Sequence, residues 1–282
     1  MTTRPLEALF KRILLPFDAG GAAAADLEAA IRLAARFRAE LVGLYIEDSE
    51  LLRLAELPCA RETVHLSAAT RPLSRAGMAR ALRVRAEIVR ARLQERATRA
   101  QVAWSFRVVQ GELLAEQLGA AAGSDLLILE VGGQRARPRR GAGRATRRYF
   151  AHAACTVWLR HAPATDERPV VALLDDVPTS LRVLAVASQF ARRDGKHLLV
   201  MIPAGDRADF ERRAGQAGAM LAAQGVEAEL QPLAREAAAD LIQVVAAAQG
   251  KLLVLGRDSP LASGESYQRL LEDLPCEVVL AG

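Results

Sequence analysis

Two aspartates stand where apolar runs end, Asp18 in LLPFDAGG and Asp175 in VALLDDVP. Further along, GGQRARPRRGAGRATRR, Gly132 to Arg148, holds seven arginines and four glycines directly after the apolar run LLILEV. A glycine-rich loop feeding a helix offers free backbone N–H groups, and the helix dipole adds to their pull on negative charge, so the chemistry on offer is anion binding. A carboxylate at a strand end binds polar groups of a ligand or caps the turn that follows. The arginine run has two further readings, a solvated loop or an arm for nucleic acid. For the second, the guanidiniums supply charge, but no aromatic interleaves them for base stacking.

Other chemistries lack their residues. His65, His152, His161 and His197 are dispersed, and the spacing of His152 and Cys155 has no second pair to complete four metal ligands. Cys59, Cys155 and Cys276 are too scattered for a disulfide framework. No serine sits in a G-x-S-x-G elbow, and nothing argues for nucleophilic catalysis.

The elements that must position these residues are written twice. RILLPFDAGGAAAADLEAAIRLAARFRAELVGLYIED predicts a strand, a turn after Asp18, an alanine-rich amphipathic helix and a second strand. PVVALLDDVPTSLRVLAVASQFARRDGKHLLVMIPA repeats that order. Asp18 corresponds to Asp175 and Ile46 to Ile202; LLILE (126–130) corresponds to LLVLG (252–256), and CTVWL from Cys155 to CEVVL from Cys276. The narrowing offset places an insertion at about 49–75 of the first half and a shortened loop after the fourth strand of the second.

Each half therefore predicts β-α-β-α-β-α-β-α-β. Strands fall near 12–18, 41–47, 102–109, 126–131 and 156–160, then near 169–174, 197–203, 226–233, 251–256 and 277–281. Short apolar runs suit strands covered on both faces, and alternation with helices means parallel, doubly wound sheets with right-handed crossovers. The fold class is α/β: two tandem Rossmann-like domains, 1–162 and 168–282, each a five-stranded parallel sheet flanked by helices. The polar, proline-containing stretch RHAPATDERP links them. Ligands of such sheets bind outside the carboxyl ends of the strands, where strand order reverses. That places Asp18, the end of the second strand at Ile46 and the arginine-rich loop around one crevice.

The insertion predicts a long surface loop, with a lid or docking surface as its functional reading. In the arginine-rich helix that follows, 75–99, Met78, Leu82, Ile88 and Leu93 are the expected buried stripe, with arginines outside.

Composition narrows the partners. The net charge of +5 is uneven, because residues 1–168 carry 27 of the 38 Lys and Arg but only 18 of the 33 Asp and Glu. A basic first half and a mildly acidic second attract each other, or the first half meets an anionic partner. Only three of the basic residues are lysine, which also fits a compositional bias toward arginine on solvated faces. No apolar run approaches the roughly 18 residues of a bilayer span, so no membrane partner is expected. The stretch MTTRPLEALFKR lacks a signal-peptide core, and a cytoplasmic location is the expectation.

On ILLPFDAG, AELVGLYIED, RVVQGELLAEQL and FAHAACTVWL, the chain resembles the universal stress protein family, over both halves. The resemblance implies tandem adenine nucleotide alpha hydrolase-like domains. ATP-binding members of that family carry an Asp ending strand one, a small aliphatic residue ending strand two, and G-x2-G-x9-G-[S/T] after strand four. Asp18 and Ile46 match, and Gly133 and Gly143 take the second and third glycines. Glu130 stands at the first glycine and Arg144 at the Ser/Thr. In the second half Asp175, Ile202 and Gly256 match, Ser259 replaces the second glycine, Gly264 comes too early, and Glu265 takes the Ser/Thr position. A carboxylate about 4 Å from a phosphate charge costs roughly 4 kcal/mol at an effective dielectric of 20, about a thousandfold in affinity.

ATP or another adenine nucleotide is thus expected in the first half only, at a modified anion site. Relatives pair through their last strands, which implies that TVWL and EVVL meet in an internal pseudo-dimer, with a homodimer of chains also open. The leading expectation is a non-enzymatic cytoplasmic stress-response or regulatory protein. The alternatives are an ATP-binding switch or slow ATPase using Asp18, Ile46, Gly133 and Gly143, and a nucleic-acid-associated protein acting through the loop Arg135 to Arg148.

Overall fold

A computed structural model describes residues 9–18, 24–63, 70–130, 152–160, 169–175, 178–194, 197–234, 238–262 and 276–282. The chain divides into two compact units, Phe10–Asp125 and Leu126–Gly282.

In the unit Phe10–Asp125 the elements run β1 (Arg12–Phe17), α1 (Ala24–Phe37), β2 (Glu40–Asp48), α2 (Ser49–Leu54), β3 (Arg61–Thr63), β4 (Thr70–Pro72), α3 (Arg75–Arg99), β5 (Trp104–Gly111) and α4 (Leu113–Ala121). Strands β1, β2 and β5 are parallel in that order, with Phe17 beside Tyr45 and Leu41 beside Trp104. Helix α3 crosses β2 over Gly43, where an added Cβ would come within 2.7 Å of Leu93 and 2.8 Å of Phe106. Only glycine lets the helix lie that close.

The insertion departs from the expected bare loop. It opens with α2, whose N-cap Asp48 accepts a hydrogen bond from the Glu50 N–H, and continues into the antiparallel hairpin β3–β4. In α3 the buried side chains are Leu82, Ala86, Val89, Leu93 and Ala97, while Ile88 is 45% exposed. Two apolar phases coexist along this helix, and the expectation that placed Ile88 in the buried stripe mixed them.

The unit Leu126–Gly282 contains β6 (Leu126–Glu130), β7 (Thr156–Arg160), β8 (Val170–Leu173), α5 (Ser180–Asp194), β9 (Leu198–Ala204), α6 (Arg207–Ala223), β10 (Ala228–Ala234), α7 (Ala238–Ala247), β11 (Leu252–Gly256), a 3-10 turn (Pro260–Ala262) and β12 (Glu277–Ala281). Its strand order is β10-β9-β8-β11-β12-β7-β6. Every neighbouring pair is parallel except β12 and β7, which run antiparallel with Val278 beside Leu159 and Leu280 beside Val157. All residues of β7, β8, β11 and β12 are buried, as suits their mainly apolar runs, and with them the polar Thr156, Arg160 and Glu277. Pro232, which has no N–H for a ladder, sits on the outermost strand β10. The pairing of β7 with β12 draws β6 and β7 into this compact unit, so the units do not coincide with the sequence repeats.

Four helices stop in one way. Arg38, Gln101, Gly225 and Gln249 take left-handed φ of 53°, 55°, 65° and 49°. The next N–H then reaches back five residues: Ala39 to Ala34, Val102 to Ala97, Val226 to Leu221 and Gly250 to Val245, at 2.8–3.0 Å. Each bond satisfies a helix-end carbonyl and turns the chain into a strand.

Candidate functional site

In the first half, β1 and β2 end side by side and bring two of the expected site residues together. Asp18 follows β1 and is exposed; Ile46, near the end of β2, is fully buried. Beside them Tyr45 is also fully buried, and its hydroxyl has no hydrogen-bond partner among the described residues. Burial pushes the Tyr45 phenol up, the Arg85 guanidinium pulls it back, and the Glu47 and Asp18 carboxylates push it further up. Tyr45 was absent from the sequence-based site because an aromatic inside an apolar strand reads as core. Glu130 ends β6, beside Arg160 of β7. Gly133, Gly143 and Arg144 lie outside the described residues, as do Gly264 and Glu265 of the second half.

The second half gives a fuller geometry. Strand order reverses between β8 and β11, and the two residues that follow these strands face one another there. Asp175 comes after β8 and Ser259 after β11, and the Ser259 hydroxyl is hydrogen-bonded to the Asp175 side chain. Ser259 is buried, and its oxygen also accepts from the Leu261 N–H at 3.2 Å. Ser180, opening α5, donates its hydroxyl to the Asp175 carbonyl. Burial raises the Asp175 carboxyl above the usual range, while Ser259 and the Arg213 guanidinium pull it back. Its Oδ2 is buried without a partner among the described residues.

Arg213 comes from α6, which starts at the N-cap Asp206, whose side chain accepts from the Asp209 N–H at 2.8 Å. Its Nη1 donates to the Pro203 carbonyl at 2.5 Å and its Nη2 to the Leu174 carbonyl at 2.8 Å. The guanidinium thus bridges the carboxyl ends of β9 and β8 beside Asp175. No sequence signal marks this residue, which is one arginine among several on a polar helix. Ile202, the counterpart of Ile46, is fully buried.

The antiparallel β7–β12 pair carries its own polar cluster. Arg160 Nε lies 3.3 Å from Glu277 Oε1, with the two side chains only 5% and 4% exposed. The Arg160 guanidinium also lies 5.5 Å from the Trp158 ring centre, and Trp158 meets Phe190 edge-on at 5.6 Å. Burial raises the Glu277 carboxyl, and Arg160 and Lys251 counter it. Nearby, Arg257 Nη2 donates to the Cys155 carbonyl at 2.8 Å. Cys276 is buried and its thiol is pushed up to about 12 by burial, so it is inert at neutral pH. Among the described residues no group of three His, Cys, Asp or Glu could hold a metal, and no helix is long and apolar enough to cross a membrane.

Comparison with known proteins places the fold. No model of a protein family matches the chain, and no curated protein matches its sequence. Solved structures do. A universal stress protein from Archaeoglobus fulgidus DSM 4304 superposes with a TM-score of 0.70 at 12% identity, covering 97% of this chain and 96% of the other. A functionally unknown protein from Pseudomonas aeruginosa PAO1 gives 0.61 at 14%, covering 97% and 93%. A candidate universal stress protein from Pseudomonas aeruginosa UCBPP-PA14 gives 0.60 at 15%, covering 98% and 95%. The chain has a universal stress protein-type α/β fold, with a mostly parallel sheet flanked by helices, in line with the sequence-based fold class.

Proposed function

We propose that this chain is a non-enzymatic regulatory protein of the universal stress type, in which only the first half keeps a place for a nucleotide or another phosphate-bearing anion. The observation that carries this reading is the strand-end crevice of the second half, which the chain fills with its own Arg213, Ser259 and Asp175. A ligand entering there would have to displace two hydrogen bonds of Arg213, worth about 1 kcal/mol each, and would meet the Asp175 carboxylate. The first half retains Asp18 and Ile46 at the ends of adjacent strands. In this reading Gly133 and Gly143 open the phosphate loop, and Arg144 draws the phosphate while pairing with Glu130. The stress-related role and the cytoplasmic location rest on the likeness to universal stress proteins. The β7–β12 pairing supports an internal pseudo-dimer of the two halves.

Titration of nucleotide-stripped protein with ATP by calorimetry tests the reading. At most one ATP per chain is expected, with binding lost in Asp18→Ala and unchanged in Asp175→Ala. A chain that binds only after Glu130→Gly and Arg144→Ser are introduced together would also fit, as a site kept in shape and altered in chemistry. Two ATP per chain, or loss of binding with Asp175→Ala, would overturn the assignment. Sustained ATP hydrolysis abolished by Asp18→Ala would make the protein a slow ATPase instead.

A further inference from the structure

Helix α3 presents a second apolar stripe, away from the core. Its buried face is Leu82, Ala86, Val89, Leu93 and Ala97. On the opposite side Ala81, Val84, Ile88 and Ala91 recur in alternating steps of three and four residues, all exposed, Val84 at 56% and Ile88 at 45%. That alternation is the seam of a coiled coil. A β-branched side chain facing solvent on a helix loses χ1 freedom and gains no burial, so nothing in the fold itself calls for Val84 and Ile88 there.

The flanks of the seam are basic. Arg85, Arg92 and Arg99 follow one edge a heptad apart, and Arg80 stands on the other, followed there by Glu87. Arg99 is bonded to Glu95 and Arg90 pairs with Glu87 within the helix. Arg80 and Arg92 have no ion pair among the described residues, so their charge is available to a partner. The alanines at 81 and 91 let another helix backbone approach closely.

We propose that the outer face of α3 docks an acidic amphipathic helix of another protein. The apolar side chains of that helix would lie against Val84 and Ile88, and its carboxylates would lie opposite Arg80 and Arg92. A second copy of this chain fits the seam poorly. Antiparallel pairing sets the row Arg85, Arg92 and Arg99 against itself; parallel pairing sets Arg80 against Arg85 and gains only Glu87 against Arg92 in return. Nucleic acid would engage the arginines and leave the apolar seam in water.

The test uses the full chain and a fluorescein-labelled three-heptad peptide, with leucines along its seam and glutamates beside them, read by anisotropy at roughly 0.15 M salt. Saturable binding is expected. Val84→Ser with Ile88→Ser should weaken it about tenfold or more, and so should Arg80→Glu with Arg92→Glu. A peptide carrying lysines in place of the glutamates should bind the Arg80→Glu, Arg92→Glu variant and not the original chain, a rescue that misfolding could not produce. The proposal fails if binding is absent, if it ignores the loss of Val84 and Ile88, or if a glutamate peptide without seam leucines binds as well. It also fails if sedimentation shows the chain self-associating through this face, with the assembly lost in the serine variant.

Discussion

Arg160 and Glu277 permit the sharpest quantitative test of how the β7–β12 pairing is held. The two groups are 3.3 Å apart, and each side chain is about 95% removed from water. At an effective dielectric of 20 their attraction is about 5 kcal/mol, and the cost of desolvating both ions offsets most of it. The pair as a whole is therefore close to neutral, while either ion alone is expensive. Glu277→Ala takes a close counter-ion from a buried guanidinium and should cost about 3–5 kcal/mol; Arg160→Ala takes the nearest cation from the buried carboxylate, at similar cost. Replacing both with apolar residues, Arg160→Met with Glu277→Leu, should restore most of that loss. The assay is urea denaturation in a Trp104→Phe background, which leaves Trp158, in contact with Arg160 and Phe190, as the single fluorescent reporter. The three variants and the parent form a double-mutant cycle with a coupling of several kcal/mol. Single substitutions costing under about 1 kcal/mol, or costs that simply add in the double variant, would refute the reasoning.

Two further outcomes follow from the same geometry. Burial raises the Asp175 carboxyl in the folded chain, so the folded state favours its proton. The resulting stability is complete below the unfolded value of about 4 and is lost as pH rises through the folded value. Asp175→Asn should accordingly have the higher urea midpoint at pH 7, with the gap closing toward pH 4; a gap independent of pH would contradict this. Gly43→Ala would place a methyl 2.7 Å from Leu93 and 2.8 Å from Phe106 and should cost about 1–3 kcal/mol in a thermal or urea melt. An unchanged melt would mean that α3 can shift off β2 without penalty.

The α/β class, most of the strands and helices, and the positions of Asp18 and Asp175 just past their strands were legible in the chain alone. Those features rest on local pattern: short apolar runs, one-sided helices, and a carboxylate where a strand gives way to a turn. The β3–β4 hairpin carried no signal because its strands are three residues long and their sequences, RET and TRP, have no apolar alternation. The rotation of α3 was equally closed to sequence, since its apolar residues fit two phases and only the sheet beneath it selects Leu82, Ala86, Val89, Leu93 and Ala97 for burial. The side chains that fill the second crevice were beyond reach for a different reason. Arg213 is 38 residues from Asp175, and Ser259 is 84 residues from it; nothing local tells a solvated arginine from one that caps the ends of β8 and β9. Periodicity decides which elements form. Which polar groups then lose their water, and so must find each other, depends on how those elements are stacked, and that is a property of the tertiary structure.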